Sequence, residues 1–141
     1  MVGILIATSG NIGQSLLETA VDLIGEPAEA ASSVTLSDGQ DRAEAWKGLV
    51  TAADGVEDGE GVLLMVDMFG STSSTMALSL LADRNVEVLT GVNLAMVLRA
   101  LLNRRGATLK ALSEDVLHYG RRNVTSSATW LDTGDHSQGT D

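Results

Sequence analysis

Three short stretches of this chain carry side chains able to do chemistry, and each follows an apolar run. Thr8-Ser9-Gly10-Asn11 follows Val2-Gly-Ile-Leu-Ile-Ala7. Asp67 closes Val62-Leu-Leu-Met-Val66 and leads, past Gly70, into Ser71-Thr72-Ser73-Ser74-Thr75. Thr90-Gly91 and Asn93 follow Val86-Glu-Val-Leu89. Two hydroxyls and free backbone N–H groups at a helix start favour an anion, phosphate most obviously. Thr8, Ser9 and Asn11 serve equally as plain turn and cap residues, and the sequence leaves both readings open. An acid directly after five apolar strand residues is costly to bury unless it accepts hydrogen bonds. Asp67 is therefore bonded to nearby loop N–H groups, or it is an orienting carboxylate facing the Thr8-Ser9 loop. The five hydroxyl residues after Gly70 add donors to the same rim, or form a simple helix entry. An anion pocket built from Ser9, Gly10, Asn11, Ser71, Thr72 and Ser73 is expected to bind phosphate weakly, because an ionised Asp67 repels it.

Several chemistries are not expected. Gly10-x-x-Gly13 is a fragment of a dinucleotide fingerprint, with neither GxGxxG nor a P-loop lysine, so NAD and ATP are not expected. There is no GxSxG nucleophile motif. The two histidines are His118, in a late helical segment, and His136, near the chain end; neither lies at a strand end. Without cysteines or metal-ligand spacing, no metal and no cofactor are expected. An aspartyl-phosphate receiver would need acids after the first strand to hold Mg²⁺, and Thr8-Ser9 supplies none.

The elements that must position these loops follow from periodicity. Short apolar runs at 2–7, 62–66 and 86–89, with a weaker one at 31–36, read as strands. Ile12, Leu16, Ala20 and Leu23 recur at helical spacing until Gly25 and Pro27, with Asn11 as the expected cap. Ala43, Trp46, Leu49, Val50 and Ala53 predict a second helix, and 76–82 a third. Asn93 is expected to cap a helix through Leu102, and 109–119 reads as another. Residues 122–127 are expected to form a short edge strand, and 128–141 a polar, disordered tail. Alternating strands and helices imply βαβ units, hence a doubly wound α/β domain over 1–127, its mainly parallel sheet covered by helices on both faces. Ligands in such folds bind beyond the carboxyl ends of the strands, where the strand order reverses. That rule selects loops 8–11, 36–40, 67–75 and 90–93.

The 141 residues suit one domain, and 44% hydrophobic content excludes a disordered chain. No apolar run reaches the roughly 18–20 residues of a membrane helix, so a cytoplasmic protein is expected. Nine basic against 19 acidic residues give a net charge of −10. Residues 1–70 hold 12 acids and 2 bases, which argues against a nucleic-acid partner. Arg104-Arg105 and Arg121-Arg122 are read as helix-end cations.

At the selected loops the chain resembles the IIA component of mannose-type (mannose/fructose/sorbose) phosphoenolpyruvate-dependent sugar phosphotransferase systems (PTS), from Val2 to about Asn123. The resemblance rests on Gly3-Ile-Leu-Ile-Ala-Thr8, Leu23-Ile-Gly-Glu26, Gly61-Val-Leu-Leu-Met-Val-Asp-Met-Phe-Gly70 and Thr90-Gly-Val-Asn-Leu-Ala-Met96. It implies a cytoplasmic homodimer that takes a phosphoryl group from the carrier HPr onto a histidine and passes it to a IIB protein. It also implies a C-terminal strand exchanged between subunits, at 122–127. Membrane association would be indirect, through a transporter complex. The family's Thr-His-Gly pattern stands here as Thr8-Ser9-Gly10. By the same resemblance Asp67 would orient the histidine and Thr72 would hold phosphate. The family's usual Gly-Thr-Pro-x-Asn reads Ser71-Thr-Ser-Ser-Thr75, and a usual proline is Ala95. The implied functions are a IIA component with Ser9 at the acceptor position, or a non-catalytic regulatory module on the same scaffold.

Overall fold

Apolar runs without polar alternation can only be strands covered on both faces. In the computed structural model, which describes residues 1–68 and 70–132, strands β1 (Gly3–Thr8) and β3 (Val62–Val66) are buried at every position. With β2 (Ala31–Thr35) and β4 (Val86–Leu89) they form one parallel sheet in the order β2-β1-β3-β4. Between them run α1 (Ile12–Ile24), α2 (Arg42–Val56) and α3 (Thr72–Ser79), the last continued by a 3₁₀ turn, Leu80–Ala82. Then follow α4 (Leu94–Asn103), α5 (Leu109–Arg122) and the short α6 (Ser127–Asp132).

The strand period of two splits the core into two layers. Leu5, Ala7, Leu64 and Val66 face one side, packed with Leu49, Ala53, Met76 and Leu80 of α2, α3 and the 3₁₀ turn. Ile4, Ile6, Leu63 and Met65 face the other, packed with Ala20, Met96, Val97, Leu112 and Val116 of α1, α4 and α5. Helices on both faces of a parallel sheet make the doubly wound architecture expected from the sequence. The chain leaves β1 towards β2 and leaves β3 towards β4, so the order reverses between β1 and β3. In register, Ala7 lies beside Val66 and Thr8 beside Thr35, so the loops after β1, β2 and β3 open at one level.

Several local expectations need correction. Asn11 makes no capping hydrogen bond; the buried Thr8 hydroxyl accepts from the Gly13 N–H at 2.8 Å instead. Gly10, at φ 53°, turns the chain tightly enough to bring strand end and helix start together. The third helix begins at Thr72 rather than 76, because the Ser71 hydroxyl caps it by accepting from Ser74 N–H at 3.1 Å. Residues 122–127 form no strand within this chain: α5 runs through Arg122, whose neighbour Asn123 closes it, and Ser127 opens α6. The start of the expected tail is thus helical to Asp132; the rest of that tail, with His136, lies outside the described residues. Arg104 stands at the end of α4 as a helix-end cation should, but it is 4% exposed and donates to the Ala30 carbonyl at 3.1 Å. That carbonyl also accepts the Ile4 N–H, so Arg104 ties α4 to the entry of β2.

Ser73 presents an imbalance. It is fully buried and its hydroxyl has no hydrogen-bond partner. A buried hydroxyl without a partner forfeits its hydration and gains nothing in return. Ser73→Ala is therefore expected to raise unfolding free energy by about 1 kcal/mol, read as a higher urea midpoint with unchanged m-value. A lower midpoint would mean that the hydroxyl has a partner in solution.

Candidate functional site

The site lies where the loops after β1 and β3 meet. Asp67, half-buried at the end of β3, accepts the Ser9 N–H on Oδ2 at 3.0 Å and its own neighbour's N–H, from Met68, on Oδ1 at 2.9 Å. Ser71 Oγ lies 3.4 Å from Oδ1 and donates more closely, at 2.7 Å, to the Met68 carbonyl. Asp67 thus satisfies loop N–H groups, and one of them belongs to the β1 loop. Burial works to raise its pKa. The hydrogen bonds from the Ser9 backbone and hydroxyl and from Met68 outweigh that and hold it below the usual carboxylate range. At neutral pH the rim thus carries a negative charge beside an exposed Ser9.

The hydroxyls expected to crowd this rim are largely committed elsewhere. Thr8 is buried and caps α1 from within. Ser71 caps α3. The Thr72 hydroxyl donates to the Asp38 carboxylate across the sheet's end. Ser73 points to no open surface at all. Ser9, Gly10 and Asn11 remain exposed at the start of α1. Beside them Ile12, Ser15, Leu16 and Leu94 shape an open groove of about 730 Å³, with Ile12 half exposed. The structure therefore brings Ser9 and Asp67 together, keeps Gly10 and Asn11 at the mouth, and withdraws Thr8 and Ser73.

Two participants escape a reading of the sequence. Asp38 lies in a loop that the strand-end rule selects, but nothing local shows that it pairs with a hydroxyl 34 residues on. The Arg99–Asp115 ion pair, with both guanidinium contacts at 2.9 Å, joins α4 to α5. The guanidinium also lies over the Tyr119 ring, 4.8 Å from its centroid. His118 sits on the exposed side of α5, as the sequence suggests.

Comparison with known proteins agrees with this geometry. The profile of the family described as "PTS system fructose IIA component" matches residues 3–117. No curated protein sequence matches the chain. Among solved structures, it is similar to phosphotransferase system component EIIA from Streptococcus agalactiae, at 22% identity and a TM-score of 0.80, covering 92% of this chain and 99% of that one. The mannose/sorbose specific IIA subunit of the phosphotransferase system from Enterococcus faecalis aligns at 20% identity and a TM-score of 0.79, covering 89% and 93%. The PTS IIA protein associated with the fucose utilization operon from Streptococcus pneumoniae aligns at 23% and 0.79, covering 92% and 95%.

Proposed function

The chain belongs to the fructose/mannose-type PTS IIA family, and on that premise we propose that it is a IIA component whose phosphoryl relay is interrupted at Ser9. A relay needs an acceptor that takes up and releases the phosphoryl group with little change in free energy. A phosphohistidine P–N bond meets that need; a phosphoserine ester is too stable to hand its group to IIB. Serine also requires a base to act as nucleophile near neutral pH. The observation that carries the reading is the contact between Asp67 and Ser9. The one carboxylate bonded to Ser9 is held ionised by hydrogen bonds from Ser9 and Met68, which makes it a poor proton acceptor.

HPr-like and IIB-like proteins are the partners this family membership supports, with a cytoplasmic homodimer as the working form. Among the described residues no helix is long and apolar enough to cross a membrane. The exposed Val124, Trp130 and Leu131 beyond α5 support a second subunit as their cover. Pairing of 122–127 with that subunit's sheet would differ from the conformation of the single chain. A second reading, a regulatory or binding module without phosphotransfer, is favoured by the Thr72 hydroxyl being engaged by Asp38 instead of standing open to phosphate.

The test is intact mass after incubation with phosphoenolpyruvate, enzyme I and HPr, on material sized by light scattering. No acid-labile phosphate is expected on this chain. Acid-labile, hydroxylamine-insensitive phosphate would refute the interrupted relay by revealing a histidine acceptor.

A further inference from the structure

The loop after β2 and the first turns of α2 and α3 line a second cavity, of about 290 Å³. Its lining includes Ser37, Asp38, Gln40, Arg42, Thr72 and Thr75. None of these faces the groove beside α1, whose lining is separate. The first observation is chemical. In a chain with 12 acids and 2 bases over its first 70 residues, one of those two bases, Arg42, lines this cavity. The Arg42 side chain makes no hydrogen bond or ion pair among the described residues, although Asp38 and Asp41 lie close in sequence. Asp41 is occupied as the cap of α2, accepting the Glu44 N–H at 3.1 Å. Asp38 accepts the Thr72 hydroxyl and makes no ion pair with Arg42. The guanidinium, with five donors in a planar fork, is thus left to an incoming anion.

The second observation concerns the rest of the lining. A bare anion would meet the Asp38 carboxylate and be repelled. A carboxylate has about four lone-pair positions, and Thr72 takes one, so Asp38 retains acceptors for hydroxyl groups on a ligand. Gln40 and the Ser37 hydroxyl can donate or accept; the Thr75 hydroxyl, which donates to the Ser71 carbonyl at 3.1 Å, can still accept. The volume is near the ~300 Å³ lower limit of small-molecule pockets, which suits a ligand of few atoms. We propose that this cavity binds a small anion that also carries hydroxyl groups, such as a phosphorylated polyol: the anionic end on Arg42, the hydroxyls on Asp38 and Gln40. The assignment rests on the cavity and its lining, not on the interrupted relay, and holds whether or not Ser9 accepts phosphate. Thr72 lines the cavity and follows Ser71 in the chain, so a ligand here lies one residue from the Ser71–Asp67 contact.

The experiment is an NMR titration of the full chain with glycerol 3-phosphate, with glycerol and inorganic phosphate as separate arms. Saturable shifts are expected at Ser37, Gln40, Arg42, Gly70 and Thr75, with glycerol 3-phosphate binding at least about fivefold more tightly than either fragment. Arg42→Gln, a change at an exposed helix start that leaves the core untouched, is expected to weaken binding about tenfold or more. Arg42→Lys, which keeps the charge but not the fork, should fall between. Each of three results would overturn the proposal: no saturable shift at tens of millimolar, equal affinity in Arg42→Gln, or inorganic phosphate binding as tightly as the polyol. Shifts centred on Gly10 and Asn11 would also overturn it, since they would put the anion in the α1 mouth.

Discussion

If the relay is interrupted at Ser9 as proposed, Ser9→His is expected to let the chain take a transferable phosphoryl group from phospho-HPr. The reason lies in what surrounds position 9. Its backbone N–H is fixed by the Asp67 carboxylate at 3.0 Å, its side chain is exposed at the mouth of a groove, and Asp67 is held in its charged form. A carboxylate in that state orients an imidazole and stabilises its cationic form, as it does for histidines elsewhere. Recovery is expected to be partial, because the Thr72 hydroxyl must leave Asp38 before it can hold phosphate. The measurement is acid-labile phosphate per chain in the presence of enzyme I, HPr and phosphoenolpyruvate. Adding Asp67→Asn to Ser9→His should lower it by roughly 10–100-fold, the usual cost of losing a partner that orients a functional histidine. A well-folded Ser9→His chain that stays unphosphorylated would move the cause to Ser71–Thr75 and Ala95, where the sequence also departs from the family pattern.

The second large effect is on stability. Gly3→Ala is expected to destabilise the chain by about 3 kcal/mol or more, a large share of the ~5–15 kcal/mol that holds a domain folded. A Cβ at Gly3 would lie 2.1 Å from the Val56 carbonyl oxygen and 2.8 Å from its carbonyl carbon. Both are backbone atoms at the end of α2, so no side-chain rotation relieves the clash. Nor can β1 shift away, since Gly3 N–H donates to Gly61 at 2.9 Å and the strand is paired on both edges. Gly48→Ala is the matched control: it lies within α2, exposed, with nothing within 4 Å of the added carbon. There the change should stabilise by about 0.5–1 kcal/mol through helix propensity. Urea unfolding of the two variants should move in opposite directions. Equal midpoints would show that α2 does not press on β1 in solution.

The sheet was legible in the sequence because its central strands have no polar face. Val62-Leu-Leu-Met-Val66 admits one interpretation, and the structure reproduces its bounds. Strand β2, Ala31–Thr35, is half-buried at an edge, and its weaker signal reflects that. What failed was decided by hydroxyl groups. Thr8, Asn11 and Ser71 all suit caps and turns, and sequence spacing does not say which oxygen reaches which N–H. Thr8 and Ser71 prevailed because the Gly10 turn and the end of β3 deliver them to the helix starts. The segment 122–127 misled because Val124-Thr125 has β character while α5 carries on through its basic last turn, Arg121 and Arg122. That Asp67 would need hydrogen-bond donors was legible from its place after an apolar strand, and the loop N–H groups of Ser9 and Met68 supply them. The roles of Asp38, Arg42 and Arg104 were not legible, since their partners or cavity are assembled from loops and helices distant in the chain.

The central position of β1 also has a consequence for synthesis. Gly-Ile-Leu-Ile-Ala-Thr, uncharged and apolar, leaves the ribosome before either of its two neighbours in the sheet, residues 31–35 and 62–66. At the usual 5–20 residues per second, both edges gain their partners only after roughly 3–12 s. The face packed by Val97, Leu112 and Val116 stays bare longer still. Through that interval the nascent chain displays a six-residue segment with the makings of an intermolecular β-pairing site. Shielding residues 3–8 until residue 66 has been made is therefore expected to raise the yield of folded chain.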